Sequence, residues 1–308
     1  MTTGSATITM VIPAYGVGGM ICDALDSLLA QSRQDWLAIV VDDGDPRAAD
    51  HVRPYLDDDR FTFLQTDNGG PSTARNRGMS KATTEYIGLI DGDDQLDPDF
   101  LSAMLAAFTS DRVGFVTCDA TFFGADRNGE LFSSYCPQKL PASLERVIRR
   151  EFNVFSQTVM RREAIMGIGG FDTSLISSED FDAWIRMMES GWELAYIPRP
   201  LVRYRRHGLQ ASRNSTGMLR TALVATGRAR ERLKGRPEEL AAAEMCSELE
   251  KDIEVAEAFE LLHQGQTRPA LAKFARVNTD RLTGKWRLIL RLLRIAPFLA
   301  GPLLKLRT

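Results

Sequence analysis

Residues 86–94 read YIGLIDGDD and residues 37–45 read LAIVVDDGD. In each, a short apolar run rich in Ile, Leu and Val ends abruptly in carboxylates. A run of five such residues bounded by a turn is too short for a core helix and predicts a buried β-strand. Working outward, ITMVIP (residues 8–13) is a further buried strand, and Ile21, Leu25, Leu28 and Leu29 recur at helical spacing before the next one. Residues 61–64 predict a third strand, and residues 72–82 a helix behind the Gly69-Gly70-Pro71 turn. Residues 113–123 predict another strand, and 194–197 and 201–204 two more. Alternation of strand and helix of this kind means an α/β fold with a mostly parallel central sheet covered by helices. From about Met218 the pattern is helical throughout, with Leu249, Ile253, Ala256, Phe259 and Leu262 on one face. The expected organisation is an α/β domain over 1–215 and a helical C-terminal region over 216–308.

Ligands of open α/β sheets sit beyond the carboxyl ends of the strands. Two acidic strand ends on one sheet edge are therefore a candidate site. Asp91, Asp93 and Asp94 crowd together behind Gly92, and carboxylates so close repel one another unless a cation lies between them. Mg²⁺ or Mn²⁺ suits oxygen donors and is typically held by one or two carboxylates plus substrate phosphates. An acidic turn before Pro98, or an Asp-Gly turn at 42–45, explains each cluster alone without function. Their pairing is what points to a site.

Other phosphate-binding devices are missing. In YGVGG (residues 15–19) Ile21 occupies the third glycine position of a dinucleotide loop, and no Walker sequence occurs anywhere. A bound diphosphate would need metal and basic side chains. SSEDFDAWI (177–185) places two serines as expected caps before an amphipathic helix, with Glu179 and Asp180 either favouring the positive end of its dipole or supplying a general base. Arg205 and Arg206 follow a strand and are surface charge or phosphate partners, and His207 beside them is a structural residue or a ligand.

The chain has 308 residues, of which 44% are hydrophobic and 26% charged, with a net charge of −3. Those values exclude disorder and the basic excess of a nucleic-acid binder. The four cysteines lack zinc or disulfide spacing, which fits a reducing compartment. No run of about 18 apolar residues and no leader-like N-terminus is present, so the expectation is a cytoplasmic protein without a spanning helix.

Taken together, VIPAY (11–15), VVDDGD (40–45), NGGPSTARNRGMSKATTEYIGLIDGDD (68–94), GGFD (169–172), SSEDFDAWIR (177–186) and LVRYRRHGLQAS (201–212) resemble the family 2 glycosyltransferases of GT-A fold, in the family's order and spacing. The resemblance spans roughly residues 7–213. It implies inverting transfer of a sugar from a nucleoside diphosphate donor, a UDP-sugar foremost, to a glycan or lipid-linked acceptor. By position, Pro13, Tyr15 and Asp43 would hold the donor base, with Asp42 beside them and Arg75 nearby. Asp91, followed by Gly92, would bind the ribose or metal region, and Asp93 would be the principal ligand of Mn²⁺ or Mg²⁺. Asp180 matches the family's catalytic base, and Glu179 would contact the acceptor. Arg206 and His207 match a segment that approaches the diphosphate, which makes His207 a further candidate metal ligand. Gly16 and Asp45 depart from the family's usual Asn and Ser, and bear on donor preference. The multispanning helices and Q-x-x-R-W motif of processive relatives are absent, which implies single additions. A sugar-phosphate nucleotidyltransferase would need a basic Gly-rich loop after the first strand, and an inactive sugar-nucleotide binding protein would be expected to have lost one of the carboxylates.

One segment falls outside those motifs. From Arg281 to Thr308 there are seven basic residues and no acidic one, after 31 basic and 41 acidic residues in the preceding chain. In the 286–308 part, Arg287, Arg291, Arg294 and Lys305 interleave with Leu, Ile and Phe. Such a segment can lie on an anionic membrane surface at its inner face, or pack on the catalytic domain or on a second copy in a homodimer.

Overall fold

The computed structural model describes residues 6–45, 47–208, 215–276, 282 and 284–295. Eight strands form one sheet: β1 (Ile8–Ala14), β2 (Trp36–Asp42), β3 (Phe61–Gln65), β4 (Tyr86–Leu89), β5 (Gln95–Leu96), β6 (Val113–Gly124), β7 (Val159–Arg161) and β8 (Glu193–Arg206). Their order is β3-β2-β1-β4-β7-β6-β8-β5. The β3-β2-β1-β4 half is parallel, as is β6 with β8, while β7 runs antiparallel to both its neighbours and β5 antiparallel to β8.

Alternate residues of the central strands enter two different cores, the reason both faces of each run had to be apolar. On one side Ile8, Met10 and Ile12 pack with Ile21, Leu25 and Leu28 of α1 (Met20–Leu29) and with Phe100 and Met104 of α4 (Phe100–Ala106). On the other, Val11, Ile39 and Val41 pack with α3 (Pro71–Lys81), α6 (Arg162–Gly167) and α7 (Glu179–Glu189). The short α2 (Ala48–Val52) and α5 (Leu144–Ile148) fill the flanks. Gly78 brings α3 close to β1: a Cβ there would stand 2.5 Å from Val11 Cγ1. That approach sets the start of α3, and with it Arg75, beside the strand ends.

Two expectations are corrected. The strands over 194–197 and 201–204 are one continuous β8, because the bulge at Pro198–Leu201 takes up the proline positions and pairing with β6 resumes beyond it. The serines before α7 do not cap it. Ser178 has φ 56°, which turns its side chain from the helix amides, and its hydroxyl donates to Met218 O; Ser177 bonds Thr221 instead.

Four further helices follow: α8 (Ser215–Arg232), α9 (Glu238–His263), α10 (Thr267–Phe274) and α11 (Gly284–Ile295). Ala229, Leu233, Ala241 and Ala242 share a core with Val147, Phe152 and Ile185, so α8 and the start of α9 are seated on the α/β layers. The far end of α9 makes a separate core with α10 and α11 from Leu262, Phe274, Ile289, Leu290 and Leu293. On the outer face of α11, Leu288, Leu292 and Ile295 are exposed. Residues 296–308 of the basic segment, and 209–212 of the last motif, lie outside the described residues. Among the described residues no helix is long and apolar enough to cross a membrane.

Candidate active site

The carboxyl ends of β1, β2 and β4 meet at one edge. Gly92 allows it: a Cβ there would lie 2.9 Å from both Pro13 O and Ile21 Cδ1, so only glycine lets the 91–94 turn sit against the end of β1. Tyr15 is 60% exposed just beyond Pro13, an open ring available for stacking. Asp42 and Asp43 are buried at the end of β2. Asp43 accepts bonds from the Gly69 and Gly70 amides at 2.9 and 2.8 Å, and Asp42 from the Asp45 amide at 2.7 Å. These carboxylates thus shape the loops beyond the ends of β1 and β2, and each retains acceptor capacity.

Arg75 is the hub. Its guanidinium reaches Asp91 Oδ1 at 2.9 Å and Glu179 Oε1, 104 residues further along the chain, at 2.5 Å, tying the β4 turn to the start of α7. Burial opposes its charge, but the two carboxylates and Asp180 hold it protonated. Glu179 is accordingly buried against Arg75. The helix that presents it is anchored by Trp184, stacked on Phe115 at 5.3 Å, and by Arg186, which bonds Asp182 and donates to the carbonyls of Ile168 and Gly170. Asn76 clasps Phe171 through both its backbone groups. The asparagine of α3, the GGFD turn and the helix after SSED are therefore one mechanical unit.

Asp93 and His207 converge from β4 and β8, with His207 Nε2 2.8 Å from Asp93 Oδ2. Burial first, then the charge of Asp91, raise the affinity of Asp93 for its proton. Asp94, fully buried, is raised well above the usual carboxylate range by burial and by Asp93 and Asp91; it accepts the Arg205 amide at 2.8 Å and Gln157 Nε2 at 2.5 Å. Three partly desolvated carboxylates thus share one short turn, the surplus of negative charge that a divalent cation offsets. Among the described residues no group of three or more His, Cys, Asp or Glu forms a metal cage. Asp93 and His207 offer an oxygen and an imidazole nitrogen, a pair that fits a cation completed by phosphate oxygens and water.

Asp180 faces a cavity of about 290 Å³ between the sheet edge, α5, α7 and α8. Burial, then the neighbouring Glu179 charge, push its pKa up to about 6, with Arg75 pulling the other way. Arg206 lines the same cavity and pairs with Asp126 at 3.0 Å. The residues picked out in the sequence thus fall into two neighbouring groups, Pro13, Tyr15, Asp42 and Asp43 on one side, Arg75, Asp91, Glu179 and Asp180 on the other, with Asp93 and His207 at the β4 and β8 ends. Sequence reading passed over Gln157, which donates to Asp91 and Asp94 from a loop without a motif. Arg205, read as surface charge or a phosphate partner, bonds Asp23 and the Asp93 carbonyl.

The family model for glycosyl transferase family 2 matches residues 9–169, just over half the chain. The succinoglycan biosynthesis protein ExoO of Rhizobium meliloti is 28% identical over 208 residues, 62% of this chain and 58% of that protein. Against two other curated glycosyltransferases the chain spans 39% and 64% of their length. Among solved structures, S. aureus TarS 1-349 in complex with UDP-GlcNAc superposes with TM-score 0.62 at 16% identity, over 80% of this chain and 72% of that one. The mannosyltransferase PcManGT from Pyrobaculum calidifontis, in complex with GDP-Man and Mn²⁺, gives TM-score 0.60 at 18% identity, over 98% and 83%. These likenesses establish a GT-A-like α/β fold with appended C-terminal helices.

Proposed function

This chain belongs to glycosyl transferase family 2, and from that premise we propose that it is an inverting, metal-dependent transferase. It moves a sugar from a nucleoside diphosphate donor, a UDP-sugar foremost, to an acceptor hydroxyl in cell-surface polysaccharide or glycolipid assembly. Asp180 carries the reading: a carboxylate with a pKa of about 6 opens onto a cavity, and the Glu179 beside it is tied through Arg75 to Asp91 of the acidic turn of β4. A base with that pKa is ionised at pH 7 yet takes a proton readily, as removal of the acceptor hydroxyl proton requires. Tyr15 and the loops shaped by Asp42 and Asp43 hold the donor base. Arg75 fixes Asp91 and Glu179, and Glu179 in turn raises the basicity of Asp180. Mn²⁺ or Mg²⁺, held by Asp93 and His207 with Asp91 alongside, would supply positive charge to the departing diphosphate. Residues 1–215 form the catalytic unit in this reading, with the remaining helices as its support.

The support has a second role. Leu288, Leu292 and Ile295 form an exposed ridge flanked by Lys285, Arg287, Arg291 and Arg294, and this face meets anionic lipid at the inner surface of a membrane.

The test incubates the protein with UDP-, GDP-, CDP- and dTDP-sugars and Mn²⁺, follows nucleoside diphosphate release, and reads the anomeric configuration of the product by NMR. Inverted product with one donor, abolished by Asp180→Asn, is expected. Retained configuration, or full activity in that variant, contradicts the assignment.

A further inference from the structure

Among the described residues three non-glycine residues have positive φ, Arg127, Arg150 and Ser178, and all three line the cavity in front of Asp180. Arg150 occupies the position after α5 where chain reversal is completed by Glu151 and Phe152 amides donating to Arg146 O, a place that glycine fills without strain. Arg127 sits in the tight turn that returns the chain beyond β6 to pair with it. Strained backbone kept at non-glycine residues clusters where side chains have work to do. What both positions share is a guanidinium brought to one cavity.

Neither arginine pairs with a carboxylate among the described residues. Arg127 lies 3.6 Å over the ring of Tyr135 and Arg150 6.0 Å from that of Phe181. Asp126, next to Arg127 in the chain, is bonded to Arg206, and the charge of Asp252 of α9 acts on Arg150 through space. Both arginines act on the same thiol, Cys136, opposing the upward push of burial on it. They therefore converge on one region of the cavity. One wall of it is aromatic, with Tyr204 packed against both Phe122 and Phe155.

We propose that this cavity is the acceptor site and that the acceptor carries an anionic group, a carboxylate or a phosphate, received by Arg127 and Arg150 while its ring lies on the aromatic wall. Guanidinium groups match both anions by paired hydrogen bonds. The anion sits on the arginine side, which leaves the neutral hydroxyl to Asp180. This rests on the transferase reading for the word acceptor, but the charge preference stands on the cavity itself.

The experiment titrates the protein with p-nitrophenyl β-glucuronide, with p-nitrophenyl β-glucoside 6-phosphate and with the neutral p-nitrophenyl β-glucoside, following binding by calorimetry. At least one anionic glycoside is expected to bind ten-fold or more tightly than the neutral one, and the two anionic arms separate carboxylate from phosphate. Arg127→Gly and Arg150→Gly remove that preference while leaving the melting temperature unchanged or higher, since glycine relieves the positive φ; a merely structural arginine would not separate the two readouts. Equal binding of all three probes, or no binding of either anionic one, overturns the proposal. Donor hydrolysis by the unaltered protein is read in parallel: its absence alongside an intact charge preference condemns the transferase reading and not the anionic pocket.

Discussion

Asp180 accepts a proton only while ionised, and burial beside Glu179 has moved its pKa up to about 6. The sign is direct: below pH 6 the carboxyl holds its own proton, so kcat falls about ten-fold per pH unit on the acid side and levels off above pH 7. Asp180→Asn lowers turnover by about 10²–10⁴-fold, the span of a lost general base, while calorimetry shows donor affinity retained. Arg75 sits between Asp91 and Glu179, and truncation to Met leaves the buried Glu179 and the half-buried Asp91 without their cation. A stability loss of about 3–5 kcal/mol is expected in urea titration. Arg75 also pulls the Asp180 pKa down, so in any folded Arg75 variant the acid limb of the pH profile moves to higher pH. A limb that stayed in place would mean that another group is the base.

At the scale of elements, the decisive contact is the β4 turn against the end of β1. Gly92→Ala puts a methyl 2.9 Å from Pro13 O and Ile21 Cδ1, so the turn must shift. An overpacking cost of about 1–3 kcal/mol is expected in thermal melts, together with weakened donor binding, because Asp91 and Asp93 ride on that turn. The outer face of α11 is tested by Leu288→Asp with Leu292→Asp, which should abolish sedimentation with anionic vesicles at an unchanged melting temperature; sedimentation as before would assign membrane contact elsewhere. Strand ends were readable here because apolar runs stop at charged residues. Strand β7 was not, since three residues, Val159–Arg161, carry no period, and β5 has two. The prolines of β8 split it on paper, whereas a bulge carries the pairing past them.

Across the whole molecule, the site is assembled by long-range pairings, Arg75 with Glu179 and Asp93 with His207 across 114 residues. The carboxylates of the motifs were legible because strand ends on one sheet edge must converge. Gln157 and the two positive-φ arginines were not, because their placement depends on loop conformation, which no short pattern encodes. The helices from α8 onward read as an appendage; α8 and the start of α9 share a core with α5 and α7, and α5, α7 and α8 each give a wall to the cavity in front of Asp180. In the proposed function the acidic turn and His207 receive a nucleoside diphosphate together with a divalent cation. Thermal melting of the protein with UDP, GDP, CDP or dTDP, each with Mn²⁺, Mg²⁺ or EDTA, tests it most directly, because a ligand bound only to the folded state raises its melting temperature. A rise with one nucleotide that EDTA removes is the expected result; no rise with any nucleotide, or the same rise in EDTA, would contradict it.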